Sequence, residues 1–415
     1  MGFLDKFFGG KEKADTGSAQ GSGRKEKKVA DPQAVDFVAA LSMQLCNELD
    51  PAFAAYVKLA EEDPLDKLST FFASSIMAGK GGVTEAANNL RSLSHRIASD
   101  GDGISRVIST ELFEAVLDHP GVRIPPVAEL AVAFGETLKG GGFVQEAAVC
   151  FEIASSLVPG NAHVLHKFGD VLHDLRMYEY AENVLQGALS LASHHWGALY
   201  TYAVLLHDLG RHEEAIAYYE RAVQVDPNHA NSRNNYGSAL MALGRFDQAL
   251  EQCNLAAELA PEAPLVKVNL GNIHLMKQQY DEARGSFEKA LALDANLAQA
   301  HFGLGAVEQK LGGDARRVRE LYLKAIELAP SIPQFHHALA KLLAGEGEEE
   351  ALSHFAAAEK LDQALPELQR DFGSTCLGLG RWEEGLKHLE TAIEQNPEDA
   401  VTREILAMAQ KQAPA

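Results

Sequence analysis

The sequence predicts an all-α protein, a solenoid of about eight stacked helical hairpins behind a helical N-terminal cap. Three observations predict it: a helix-favouring composition, a 34-residue period carried by small residues, and glycines and prolines at fixed places within that period. Aromatic residues are only 7% of the 415, whereas alanine, leucine and glutamate are common, which favours helix over sheet. A hydrophobic share of 46% is enough to bury a core. The period is written four times over. Gly135, Gly169, Gly237, Gly271, Gly305 and Gly373 are separated by multiples of 34 residues. Ala147, Ala181, Ala215, Ala249 and Ala283 form a second register, and Ala154, Ala188, Ala222, Ala256 and Ala290 a third. Pro159, Pro227, Pro261 and Pro397 form a fourth.

Each register has a chemical reason in a helical hairpin. The glycines and alanines are small residues where two helices approach closely. Phe151, Tyr219, Phe287 and Tyr322 are the large residues that fill the space between them. Leu209-Gly210-Arg211, Leu243-Gly244-Arg245 and Leu379-Gly380-Arg381 separate the two helices, and glycine there takes the left-handed conformation that ends a helix. Most units then close at a proline, which cannot continue the second helix. One hairpin cannot bury its apolar face alone, so consecutive hairpins stack.

This pattern resembles the tetratricopeptide repeat, whose signature runs W-x2-L-G-x2-Y, then A-x3-F, A and P. Residues 230–263 carry it as Tyr236-Gly237, Leu240, Ala249, Ala256 and Pro261. Eight repeats start near residues 128, 162, 196, 230, 264, 298, 333 and 366. The sixth is one residue long around Gly312-Gly313-Asp314, and the seventh one short around Gly345-Glu346-Gly347. The resemblance implies a right-handed superhelix over residues 126–399, closed by a capping helix and tail over 400–415 in which Ile405, Leu406 and Met408 face inward. It implies binding of protein partners and no enzyme activity.

The flanks differ in character. Residues 1–30 carry seven Lys/Arg against four Asp/Glu and read as a flexible tail with a short amphipathic start. Phe3, Leu4, Phe7 and Phe8 share one helical face there, which suits weak association with a membrane or a partner. Residues 31–125 are helical by period, with Val35, Phe37, Val38, Leu41 and Leu45 on one stripe. Residues 67–99 look like a degenerate hairpin, either a cap on the first repeat or a partner-binding or dimerisation module.

In the resembling family the first helix of each hairpin lines a concave groove. Residue by residue this gives Asn231, Asn234, Asn235 and Ser238 in repeat four, and Val268, Asn269, Asn272 and Leu275 in repeat five. Asn235 and Asn269 are 34 apart and are expected to stack as rungs, as in the partly similar asparagine ladder of O-GlcNAc transferases. An amide both donates and accepts, so such rungs would grip an extended peptide backbone. Bracing of neighbouring helices is the alternative. The chain as given stops sixteen residues after its last repeat, which leaves no room for the transferase region of those enzymes.

Seven of the sixteen histidines fall between residues 163 and 212. His163, His166, Asp170 and His173 align on one helix face, and His173-Asp174 recurs as His207-Asp208 one repeat later, suggesting like stacked on like. With Tyr200 and His207 these complete the candidate partner-binding set. Imidazoles and a carboxylate suit zinc or copper, but the spacing matches no tight motif. The preferred reading is a polar groove wall, with no metal and no cofactor. A metal- or pH-responsive regulator is the alternative.

What remains is mostly exclusion. The formal charge of −21 argues against nucleic acid, which demands a positive stripe. No apolar run of 18 residues is present, nor the apolar core of a signal peptide. The four cysteines are far apart, without CxxC, and read as reduced thiols of a cytoplasmic protein, with peripheral placement at the inner face of a membrane through its N-terminus as the alternative. No nucleophile elbow, P-loop or dinucleotide fingerprint occurs. The expected function is a non-enzymatic adaptor that holds an extended peptide or helix of a partner. A self-assembling scaffold is the rival, using Val268, Leu275, Met276 and Phe302 as exposed apolar groove residues.

Overall fold

A computed structural model describes residues 47–62, 66–99 and 124–412 apart from 366, together with 37, 39–41, 43–44 and 108. Phe3, Leu4, Phe7, Phe8, Val35, Val38, Leu45 and Cys46 lie outside the described residues. Among those described, every regular element is a helix. The chain divides into two compact units, Met1–Pro227 and Asn228–Ala415.

The first unit holds α1 (Leu49–Glu62), α2 (Asp66–Gly79), α3 (Val83–Ser99), α4 (Ile124–Gly140), α5 (Val144–Leu157), α6 (Ala162–Asp174), α7 (Tyr178–Leu191), α8 (Trp196–Asp208) and α9 (His212–Val225). Its N-terminal helices pack on the first repeat hairpin, α4–α5. The Phe71 ring of α2 meets Phe134 of α4 edge-on at 5.5 Å. Phe37, Tyr56 and Phe72 close the aromatic cluster behind it, each at most 1% exposed. Arg91 of α3 reaches α5, where its Nε donates to Glu146 Oε1 at 2.8 Å.

The second unit holds α10 (Ala230–Ala242), α11 (Phe246–Leu259), α12 (Pro264–Met276), α13 (Tyr280–Leu293), α14 (Ala298–Lys310), α15 (Ala315–Leu328), α16 (Pro333–Gly345), α17 (Glu350–Leu361), α18 (Leu368–Gly378), α19 (Trp382–Gln395) and α20 (Ala400–Gln412). The eight repeat hairpins run from α4–α5 to α18–α19, and six of them begin at the residue that the period predicts. The first begins at 124 instead of 128, where Pro125 and Pro126 suit a helix start, and the last at 368 instead of 366.

The small-residue registers are where the helices touch. A Cβ on Gly271 of α12 would meet the Phe287 ring of α13 at 2.7 Å. A Cβ on Gly303 of α14 would strike the same ring from the other side. Phe287 is thus a wedge between consecutive hairpins, fully buried with Val268, Ala283, Ala290, Ala300, Leu304 and Val307. Tyr219, Tyr322 and Phe355 are equally buried in their own repeats. The extra residue of repeat six is taken up in the turn. Gly312 adopts φ +70°, and Asp314 caps α15 by accepting from the Arg316 N–H at 3.0 Å.

The turn positions show one irregularity. Gly210, Gly244 and Gly380 have φ between +73° and +76°, as the sequence predicts, but Arg176 and Gln278 hold the same left-handed place at +58° and +59°. A side chain there costs about 1 kcal/mol by crowding its Cβ against the carbonyl. Gln278→Gly is therefore expected to stabilise the second unit by about that amount, read as a raised urea midpoint at unchanged slope.

The closing helix differs from expectation at Met408. Thr402 and Ala409 are the buried residues of α20 and Ile405 and Leu406 are half-buried, whereas Met408 is 53% exposed. The inward stripe of α20 runs through the smaller side chains instead.

Candidate partner-binding surfaces

In the second unit the first helices α10, α12, α14 and α16 carry an amide and aromatic wall. The amide rung exists, but at a spacing of 35. Asn269 Nδ2 donates to Asn234 Oδ1 at 3.0 Å, so the partner of Asn269 is Asn234 and not Asn235. Asn234 is 8% exposed, and Asn235, Ser238 and Asn272 are half-buried, while Asn231 is exposed. Val268 is 1% exposed and belongs to the Phe287 core, with Leu275 half-buried against it. The expectation of Val268 as an open groove residue is corrected by that packing. Met276 is 56% exposed, and the half-buried Phe302 packs tilted against Phe335 with centroids 4.8 Å apart.

Beside this wall lies an open cleft of about 360 Å³, lined by Asn272, Gln299, Phe302, Ile332, Gln334 and Phe335, with Ala298 and Ala329 completing the rim. Gln299 and Gln334 were legible in principle. Each is the second residue of its repeat, the place Asn231 holds in repeat four. Ile332 and Phe335 carry no such signal, since they come from the end of a turn and an ordinary core position.

In the first unit the histidine stripe separates into three groups. Asp170 and Asp174 both receive the Lys139 ammonium. His173 Nε2 stands 2.9 Å from Asp208 Oδ2, so unlike residues meet, not like on like. Hydrogen bonding to Asp174 and Asp208 raises the His173 pKa above its ordinary value despite burial. His207 Nδ1 faces His212 Nδ1 at 3.1 Å, and burial with that neighbour pushes His207 down. Tyr200 stacks on Trp196 at 5.6 Å with the rings nearly parallel.

His163 and His166 join His195 of the next repeat, with centroid separations of 6.3, 5.8 and 5.2 Å. Burial pushes His166 down to about 3, reinforced by His195, Lys167 and His163, and burial lowers His195 as well. Neutral imidazole is the form that these surroundings favour at His166 and His195 near pH 7. The sequence pattern missed His195 because it precedes α8 and meets His163 and His166 at spacings that do not follow the 34-residue period. The described cysteines, Cys150, Cys253 and Cys376, are buried free thiols, and burial pushes Cys253 up to about 12 and Cys376 up to about 11. No described helix is long and apolar enough to cross a membrane.

Family models named tetratricopeptide repeat match residues 166–230 and 206–270, and one named TPR repeat matches 271–312. No curated protein gives a significant match. Among solved structures the chain is similar to a tetratricopeptide repeat protein of Parabacteroides merdae, at 17% identity over 60% of this chain and 98% of that one, with a TM-score of 0.51. It is similar to YrrB, described as a TPR protein with an unusual peptide-binding site, at 26% identity over 47% of this chain and 98% of that one, TM-score 0.36. PilF of Pseudomonas aeruginosa matches at 22% identity over 50% of this chain and 95% of that one, TM-score 0.43. Residues 166–312 thus match tetratricopeptide repeats, and helical hairpins of the same period precede and follow them.

Proposed function

We propose that this protein is a non-enzymatic scaffold whose second unit grips an extended segment of a partner protein. The cleft beside Asn272 carries this reading. Its amides, Asn272, Gln299 and Gln334, can both donate and accept, which is what an extended backbone requires. Phe302, Phe335 and Ile332 offer an apolar seat between them for one side chain of the peptide. The Asn234–Asn269 bond favours the bracing role for that pair, since each amide already spends one group on the other. The peptide contacts are assigned to the amides beyond it.

The test is a paired capture from native extract using the intact chain and the triple variant Asn272→Ala, Gln299→Ala, Gln334→Ala. These side chains are half-buried or exposed, so the variant is expected to melt as the intact chain does. A partner held by the intact chain should fall at least about tenfold with the variant. Equal recovery by both baits removes the cleft from the function. The self-assembly reading is favoured by one feature, the 55% and 56% exposures of Leu265 and Met276 at the two ends of α12. It requires light scattering to grow with concentration.

A further inference from the structure

We propose that His163, His166 and His195 form a three-imidazole site for a late first-row divalent metal ion, zinc foremost, with the fourth position left to solvent. One nitrogen from each ring lies within 4.8 Å of the other two, across the adjacent first helices α6 and α8. The strongest sign is at His166. Its Nδ1 is buried and has no hydrogen-bond partner, while its Nε2 lies 3.2 Å from Thr201 Oγ1. With Nε2–H donating to the threonine, the ring's single lone pair sits on Nδ1, an acceptor left without a donor. A ligating imidazole usually donates its other N–H to an oxygen acceptor that fixes its tautomer, and Thr201 Oγ1 stands in that place here. Space for the ring is reserved as well, because a Cβ on Gly197 would strike it.

His195 sets the limit on the site. Its Nδ1 caps α8 by accepting the Ala198 N–H at 3.1 Å. A neutral imidazole has one lone pair, so ligation through either nitrogen ends that cap bond. Binding must therefore free the Ala198 amide, a signature that no nonspecific surface association shares. His163 is exposed on the first turn of α6 and provides both the entry and the freedom to close. Zinc–nitrogen bonds of about 2.0–2.1 Å require nitrogens about 3.4 Å apart, so the rings must draw inward on binding. The nearby cations are already matched: Lys167 pairs with Glu136 at 2.7 Å, and Lys139 pairs with Asp170 and Asp174.

The test uses the untagged full chain titrated with zinc chloride by calorimetry, with cobalt(II) absorption reporting the coordination geometry. One ion per chain is expected. His163→Ala and His166→Gln should each weaken it at least about tenfold, while His301→Ala in the other unit leaves it unchanged. His163 is exposed, so its variant stays informative if His166→Gln unfolds. Absence of zinc binding, or equal affinity in His163→Ala, overturns the site. Hydrogen exchange at Ala198 should quicken when zinc is added; unchanged exchange overturns His195 as the third ligand.

Discussion

Phe287→Ala is expected to cost about 3–5 kcal/mol and to lower the melting temperature of the second unit by about 10 °C. The ring is fully buried, and it is the side chain nearest to where a Cβ would stand at both Gly271 and Gly303. Truncation leaves a cavity that helices of three successive positions cannot all collapse into. A coupled variant separates this wedge from ordinary core loss. Gly303→Ala alone places a methyl against the ring and should be strongly destabilising. In the Phe287→Ala background the same methyl enters empty space and should cost little or even help. Additive costs, measured by denaturant melts of the four proteins, would refute the wedge.

Arg91→Met is expected to cost about 2 kcal/mol and to loosen α3 from the first repeat. Glu146 is only 8% exposed in its side chain, and Arg91 supplies its ion pair from across the α3–α5 contact. Removing the cation leaves a desolvated carboxylate, while the 47% exposure of Arg91 keeps the loss below that of a fully buried pair. The double variant Arg91→Met, Glu146→Leu should recover most of the stability, because nothing charged is then buried. Faster amide exchange across residues 83–99 in the single variant alone is the expected reading. If the double variant is as unstable as the single one, burial of the carboxylate is not the cause.

Most of the fold was legible because a repeat records its contacts many times. Gly271 and Ala283 are small for the same reason as Gly237 and Ala249, so packing appears in the sequence as periodicity. The candidate sites were less legible for a geometric reason. Equivalent positions are 34 apart in sequence, yet three hydrogen bonds between first helices join residues 35 apart: Asn234 with Asn269, His166 with Thr201, His173 with Asp208. A register read at 34 pairs Asn235 with Asn269 and His173 with His207, and misses by one residue each time. Burial was the second gap. Val268 occupies a position that the resemblance assigns to the groove, but the Phe287 wedge draws it into the core.

The turn around Gly312 and Asp314 accommodates an added residue while Gly305 of α14 still lies close to the Tyr322 ring of α15. Length and contact are therefore written in separate places along this chain. A hairpin turn is where the protein can be cut, lengthened or given a foreign loop, because no helix must slide to admit it. Within a helix the same single residue would rotate every following side chain by about 100° and empty the core.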